Sequence, residues 1–208
     1  MSPTFIDITL PISERVPVWP GDPPVEITRP DRELPAIVRL SMGNHAGTHV
    51  DAPAHFFPGR ATVDALPLEV MIGPAWVVHL PGTAAITAAM LANAGIPHGA
   101  PRLLIRTDNS DRAAMITAFD PDYVALTSDA ADWLLARGIR LLGIDGPSVD
   151  LFTASDSPVH RALLAAGAII IERLALSGVE PGAYELVCLH LPITQCDGAP
   201  ARVILISA

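Results

Sequence analysis

The chain has 208 residues and sets 13 arginines, with no lysine, against 22 acidic residues, for a formal charge of −9. That balance argues against a nucleic-acid partner, because neutralising phosphates takes clustered cations, and no apolar run reaches membrane-spanning length. Half of the residues are apolar but only 5% are aromatic, so a single domain over residues 1–208 is expected, cored mainly by Ala, Leu, Ile and Val.

In chain order, residues 5–10 read as an opening strand. Residues 11–35 are proline-rich and contain Val18-Trp19-Pro20-Gly21-Asp22, so helix is disfavoured, although 25–28 can be extended. A strand over 36–42 delivers the chain to a histidine cluster, and 70–80 reads as a buried strand. Residues 83–94 suggest a short helix stopped by Gly95, followed by a strand over 102–107 and a loop beginning Asp108-Asn109-Ser110-Asp111. Thr127 or Ser128 can cap a helix that ends at Gly138. Residues 141–144 form the next strand. Ser157-Pro158 marks a helix start, with a capping hydroxyl before a first-turn proline, and Gly167 its end. Strands over 168–171, 184–191 and 202–206 complete a mixed α/β pattern. No dinucleotide fingerprint, P-loop or internal repeat is present. The start carries no basic, apolar leader, and Cys188 and Cys196 are expected to stay reduced, so a cytoplasmic location is expected.

The segment His45-Ala-Gly-Thr-His49-Val-Asp51-Ala-Pro-Ala-His55 carries the chemistry. Imidazoles and a carboxylate are ligands suited to zinc or manganese at mixed N/O sites. Residues two apart on an extended chain face the same way, so His49 and Asp51 can converge on one ion, and a turn at Gly47 can bring His45 back to it. Asp51 has two oxygens and can bridge a second ion. His55, beyond Pro53, is either a further ligand or a free imidazole able to move protons near neutrality. Gly47 and Pro53 disfavour a helical His-Glu-x-x-His zinc motif. His160, near a helix start, and Glu172, at a strand end, are more distant candidates. Ser148 lacks the second glycine of a Gly-x-Ser-x-Gly elbow, which weakens a serine-hydrolase reading.

The histidine run, together with Val18-Trp19-Pro20-Gly21-Asp22, Gly143-Ile144-Asp145-Gly146-Pro147-Ser148-Val149-Asp150 and Asp197-Gly198-Ala199-Pro200-Ala201-Arg202, resembles the signature of the metal-dependent cyclase family. Bacterial kynurenine formamidases and isatin-type hydrolases belong to it. The resemblance implies a single compact α/β domain with a mixed sheet of swivelling β/β/α type, assembled as a homodimer or homotetramer. It implies two divalent ions, zinc in the formamidases and manganese in isatin-type relatives. His45, His49 and Asp51 match ligands of the first ion; Asp51, His160 and Glu172 match those of the second, with Asp51 bridging. His55 matches the catalytic proton carrier, and Trp19 a residue lining the substrate pocket. The implied reaction is hydrolysis of N-formyl-L-kynurenine to L-kynurenine and formate. The alternatives are a cyclic-amide hydrolase of the isatin type and, in another class, a metal-stabilised binding or structural protein. Two features depart from the family pattern: His190 in an otherwise apolar stretch, and the weakly aromatic loop after Thr107.

Overall fold

The computed structural model describes residues 3–30, 36–112 and 118–207. The first half holds β1 (Thr4–Asp7), β2 (Glu26–Thr28), β3 (Arg39–Ser41) and β4 (His49–Asp51), then two 3-10 turns, Pro53–His55 and Val63–Ala65. α1 (Leu68–Met71), β5 (Ile72–His79), β6 (Ala85–Ile86), α2 (Ala88–Asn93), β7 (Arg102–Arg106) and α3 (Asp108–Arg112) follow. The remainder comprises β8 (Ala125–Leu126), α4 (Ser128–Ala136), β9 (Leu141–Ile144), α5 (Pro158–Ala165), β10 (Ile169–Glu172), β11 (Gly182–His190) and β12 (Gly198–Ser207).

Aliphatic β-branched runs joined by helices favour parallel pairing, since the helical crossovers cover the sheet and let both faces be buried. β5, β7, β9 and β10 pair in that way. β11 and β12 add antiparallel to β5. β4 then pairs antiparallel with β10 on one side and with β12 on the other, closing the sheet into a barrel. β1 occupies the rest of the outer edge of β12.

Alternation along the strands separates two cores. Leu104, Leu141, Ile169 and Ile171 point into the barrel with Val50, Leu186, Val203 and Leu205. Leu103, Ile105, Leu142, Ile144 and Ile170 point outward, under Leu91 of α2, Leu134 of α4 and Leu163 and Leu164 of α5. Each fully buried aliphatic side chain of this kind contributes roughly 1.5–3 kcal/mol relative to exposure. The domain is thus a single α/β unit with a mixed, closed sheet and helices on its outer face.

Several expected elements shift. The strand expected over 36–42 is limited to β3, which pairs only with β2 in a separate ribbon. The end of the proline-rich stretch, 31–35, lies outside the described residues. The strand expected over 70–80 starts later, because its first residues coil into α1. The helix expected from 83 begins at Ala88, since the preceding residues pair as β6 with β8. The loop expected after Thr107 is α3. Its Ser110 amide and hydroxyl, and the backbone amide and hydroxyl of Thr107, donate to the buried carboxylate of Asp145, which coils the segment back over the end of β9.

The cap expected from Ser157 is also different. Ser157 sits at φ 48° and its hydroxyl makes no cap bond. The carboxylate of Asp150 instead accepts from the first amides of α5, Val159 N at 2.8 Å and His160 N at 3.0 Å. A carboxylate at this end also favours the helix dipole. Thr127 is the residue that precedes α4, but its hydroxyl donates to Ile86 O and Asp129 rather than capping.

Candidate metal centre

β4 is only three residues long, yet strands flank it on both sides, so its side chains are held rigidly. Val50 points into the barrel. His49 and Asp51 therefore point outward together, 2% and 1% exposed. Register places Glu172 directly opposite His49, so its carboxylate joins them on the same face. α5 brings in His160, and the 3-10 turn after Ala52 brings in His55. Gly47, at φ 69°, makes the turn that returns His45. On the far side Gly198 leaves no room for a Cβ beside the His45 ring, which accounts for glycine after Asp197.

The five residues expected as ligands converge. His49 Nε2 lies 3.4 Å from both Asp51 Oδ1 and Glu172 Oε2. His160 Nε2 lies 3.1 Å from Glu172 Oε1 and 3.5 Å from Asp51 Oδ2. His45 Nδ1 is 2.8 Å from Asp51 Oδ1. That approach lacks hydrogen-bond geometry, and both Asp51 oxygens are buried without a partner. A buried carboxylate with neither oxygen satisfied is costly unless a cation completes it. The chemistry of the donor set fits divalent ions of the zinc and manganese type.

Supporting contacts fix the imidazoles. His49 Nδ1 donates to Gly47 O at 2.9 Å, and His160 Nδ1 donates to Asp150 Oδ2 at 2.6 Å, so in each ring Nε2 is the nitrogen turned to the cluster. His55 Nδ1 lies 2.6 Å from Asp197 Oδ2, which is also 3.2 Å from His45 Nε2. Asn44 Nδ2 donates to the other Asp197 oxygen at 2.8 Å. Asp150 and Asp197 lie within the motif blocks, but nothing in the sequence assigns either a task. A carboxylate set beside an imidazole is a pairing that spacing alone cannot show.

The electrostatics favour positive charge. Burial would push the His45 and His49 pKa values down. The carboxylates of Asp197 and Asp51, for His45, and of Asp51 and Glu172, for His49, more than reverse this, to about 10 and about 9. His160 is likewise raised, its burial outweighed by Asp150, Asp51 and Glu172. Burial and the Asp51 charge would raise Glu172, but the neighbouring imidazoles bring it down to about 2. The carboxylates that draw protons toward these imidazoles would draw cations to the same positions.

The cluster floors a cavity of about 280 Å³. Trp19 stands on its wall, edge-on to Phe119 at 4.9 Å, Phe152 at 5.6 Å and Tyr123 at 6.3 Å between centroids. Tyr123 also donates to Asp150 O at 2.7 Å, tying this wall to the residue that orients His160. The aromatic lining comes from the dispersed residues Trp19, Phe56, Tyr123 and Phe152 and not from the segment after Thr107. His190 does not line the cavity; its Nε2 lies 2.7 Å from Val63 O and so steadies the second 3-10 turn.

A model of the family described as "Putative cyclase" matches residues 6–151. The chain is 40% identical over 206 residues to the kynurenine formamidase of Geobacillus thermodenitrificans (strain NG80-2), covering 97% of this chain and 96% of that protein. Among solved structures, a "predicted metal-dependent hydrolase" from Bacillus stearothermophilus is 33% identical, with a TM-score of 0.87 and full coverage of both chains. Isatin hydrolase A from Ralstonia solanacearum is 25% identical, with a TM-score of 0.83, covering 99% of this chain and 92% of that one.

Proposed function

The chain belongs to the cyclase family, and from that membership we propose that it is a metal-dependent arylformamidase, hydrolysing N-formyl-L-kynurenine to L-kynurenine and formate. The observation that carries the reading is Asp51, a buried carboxylate with two unsatisfied oxygens among three imidazoles and Glu172, in a chain 40% identical to a kynurenine formamidase along nearly its whole length. His45, His49 and Asp51 would hold one divalent ion and Asp51, His160 and Glu172 a second, zinc in the first instance and manganese as the alternative. Ions held there would supply an activated water at neutral pH and a Lewis acid for the formyl oxygen.

The protein's own side chains do the rest. His55 is tied through Nδ1 to Asp197, which leaves Nε2 to carry a proton at the edge of the cavity. Amide cleavage needs one there: the arylamine nitrogen is weakly basic and must be protonated as its bond to the formyl carbon breaks. Trp19 and Phe152 offer an aryl ring an apolar wall, with Phe119 packed edge-on against Trp19. Cys188 and Cys196 are free thiols, in keeping with a cytoplasmic enzyme. No helix among the described residues is long and apolar enough to cross a membrane. Family membership is what supports assembly as a homodimer or homotetramer.

Isatin-type hydrolysis is the second reading, favoured by the likeness to isatin hydrolase A. Metal-reconstituted protein should be assayed on N-formyl-L-kynurenine and isatin, with formate measured directly. A kcat/KM tenfold higher for isatin, about 1.4 kcal/mol in transition-state stabilisation, transfers the assignment to the cyclic amide.

A further inference from the structure

Arg173 directly follows Glu172 and lines the same cavity. It also lines a smaller adjoining cavity with Phe119 and Tyr123. Its backbone is held at φ 57°, a left-handed conformation uncommon for a residue with a Cβ. Two contacts keep it there: Arg173 N donates to Gly146 O at 2.9 Å, and the Thr48 hydroxyl donates to Arg173 O at 2.5 Å. The guanidinium has no such partner. Among the described residues it donates no hydrogen bond, and the residue is half-buried where it meets the cavity.

The neighbouring carboxylates do not satisfy it. Glu172 is committed to His49, His160 and the Val149 amide. Asp22, on the same cavity wall, is near enough for its charge to be felt but forms no ion pair with it. A guanidinium that faces a cavity without an acceptor can take an anionic ligand, and it is the cationic group best shaped to take a carboxylate through two parallel bonds. We infer that Arg173 is a specificity-determining residue that binds the carboxylate of the substrate. The proposed arylformamidase reading is its premise. The formyl group then sits at the His/Asp cluster, the ring against Trp19 and Phe152, and the amino-acid tail at Arg173. Asp22 faces the ammonium end of the same tail. The preferred substrates are aryl formamides bearing a zwitterionic or anionic arm, and neutral formanilides are poor ones.

The test compares metal-loaded wild type with Arg173→Asn and Arg173→Lys on N-formyl-L-kynurenine and on uncharged formanilide. Asparagine tolerates the left-handed backbone, and formanilide turnover reports that the centre is intact. Arg173→Asn should lower kcat/KM for N-formyl-L-kynurenine about 10- to 100-fold, mostly through KM, and leave formanilide within about threefold. Arg173→Lys should recover part of the loss. Direct titration with L-kynurenine should show the same weakening without turnover. Equal losses on both substrates, or no loss on either, would overturn the inference while leaving the hydrolase reading in place. Wild-type protein inert toward both formamides removes the reading and the inference with it.

Discussion

Replacing Asp197 with asparagine tests whether His55 works through a fixed tautomer. Asp197 Oδ2 lies 2.6 Å from His55 Nδ1, and Asn44 Nδ2 donates to Asp197 Oδ1 at 2.8 Å. Asparagine has the same shape, and Asn44 obliges its carbonyl oxygen to stay at the Oδ1 position. Its amide NH2 must then face His55 Nδ1, which can only accept. The proton moves to Nε2, so the ring reaches the cavity in the wrong form for taking a proton from water. A positioned acid–base group contributes about 10²–10⁴ in rate, equivalent to about 3–5 kcal/mol of barrier. kcat should fall by at least that factor in Asp197→Asn, and metal affinity should fall with it, because the same NH2 faces His45 Nε2, 3.2 Å from Asp197 Oδ2, and drives that ring's proton to the Nδ1 turned toward Asp51. Asp197→Ala should fall less, because a water can enter and accept from Nδ1, leaving the useful tautomer populated. Steady-state kinetics with elemental analysis of the same samples decides the matter. An asparagine variant as active as the alanine variant, or more so, refutes the tautomer argument; loss of metal in both would make Asp197 part of the ion-binding set.

His49→Ala should empty the centre, because His49 Nε2 faces both Asp51 and Glu172, whereas His55→Gln should keep its metal and lose about 10²–10⁴ in kcat; metal analysis of the pair distinguishes ligand from proton carrier. Trp19→Ala should raise KM for an aryl formamide about tenfold with little change in melting temperature, since the edge-on contacts to Phe119 and Phe152 line a cavity wall; unfolding without a selective change in substrate use would make Trp19 a packing residue. The metal-free protein should also respond to pH in a defined sense. His45 and His49 are raised from 6.5 to about 10 and about 9, so their contribution to stability is complete below pH 6.5 and disappears as pH rises through 9–10. Glu172 is lowered from 4.5 to about 2, so its contribution is present above pH 4.5 and is lost as pH falls through 2. Ligating imidazoles must shed those protons, so the rise in melting temperature on adding zinc should be larger at pH 9 than at pH 6. A rise independent of pH would show that the imidazoles are not the ligands.

Strands with an unbroken aliphatic character were legible in the sequence, and so were the glycine stops after α2, α4 and α5. What escaped reading depended on partners remote in the chain. β4 has three residues and no strand signature of its own; pairing with β10 and β12 makes it one, and that pairing closes the barrel. α3 forms because Asp145, some 35 positions away, collects the amides and hydroxyls of its first turn. The start of α5 looked like a serine cap because a hydroxyl precedes Pro158. Asp150 reaches the same amides and orients His160 with the same carboxylate, and this double task leaves Ser157 no capping role.

The candidate site shows the same division. Alternation along an extended chain is enough to put His49 and Asp51 on one face, since both lie within one short strand. It says nothing about Glu172, whose place opposite His49 is set by antiparallel register between segments more than a hundred residues apart. Nor does spacing distinguish His55 from the proposed ligands: four imidazoles near a carboxylate look alike until each second nitrogen is traced. Gly47 O and Asp150 turn Nε2 of His49 and His160 inward, while Asp197 claims Nδ1 of His55 at the rim, where the ring is 28% exposed. Burial and anchoring therefore set the dry His49 and His160 apart from His45 and His55, which share Asp197 at the cavity edge and are 19% and 28% exposed. A proton carrier needs that position, because it must exchange with water between turnovers, whereas the buried Asp51 carboxylate needs neighbours that do not.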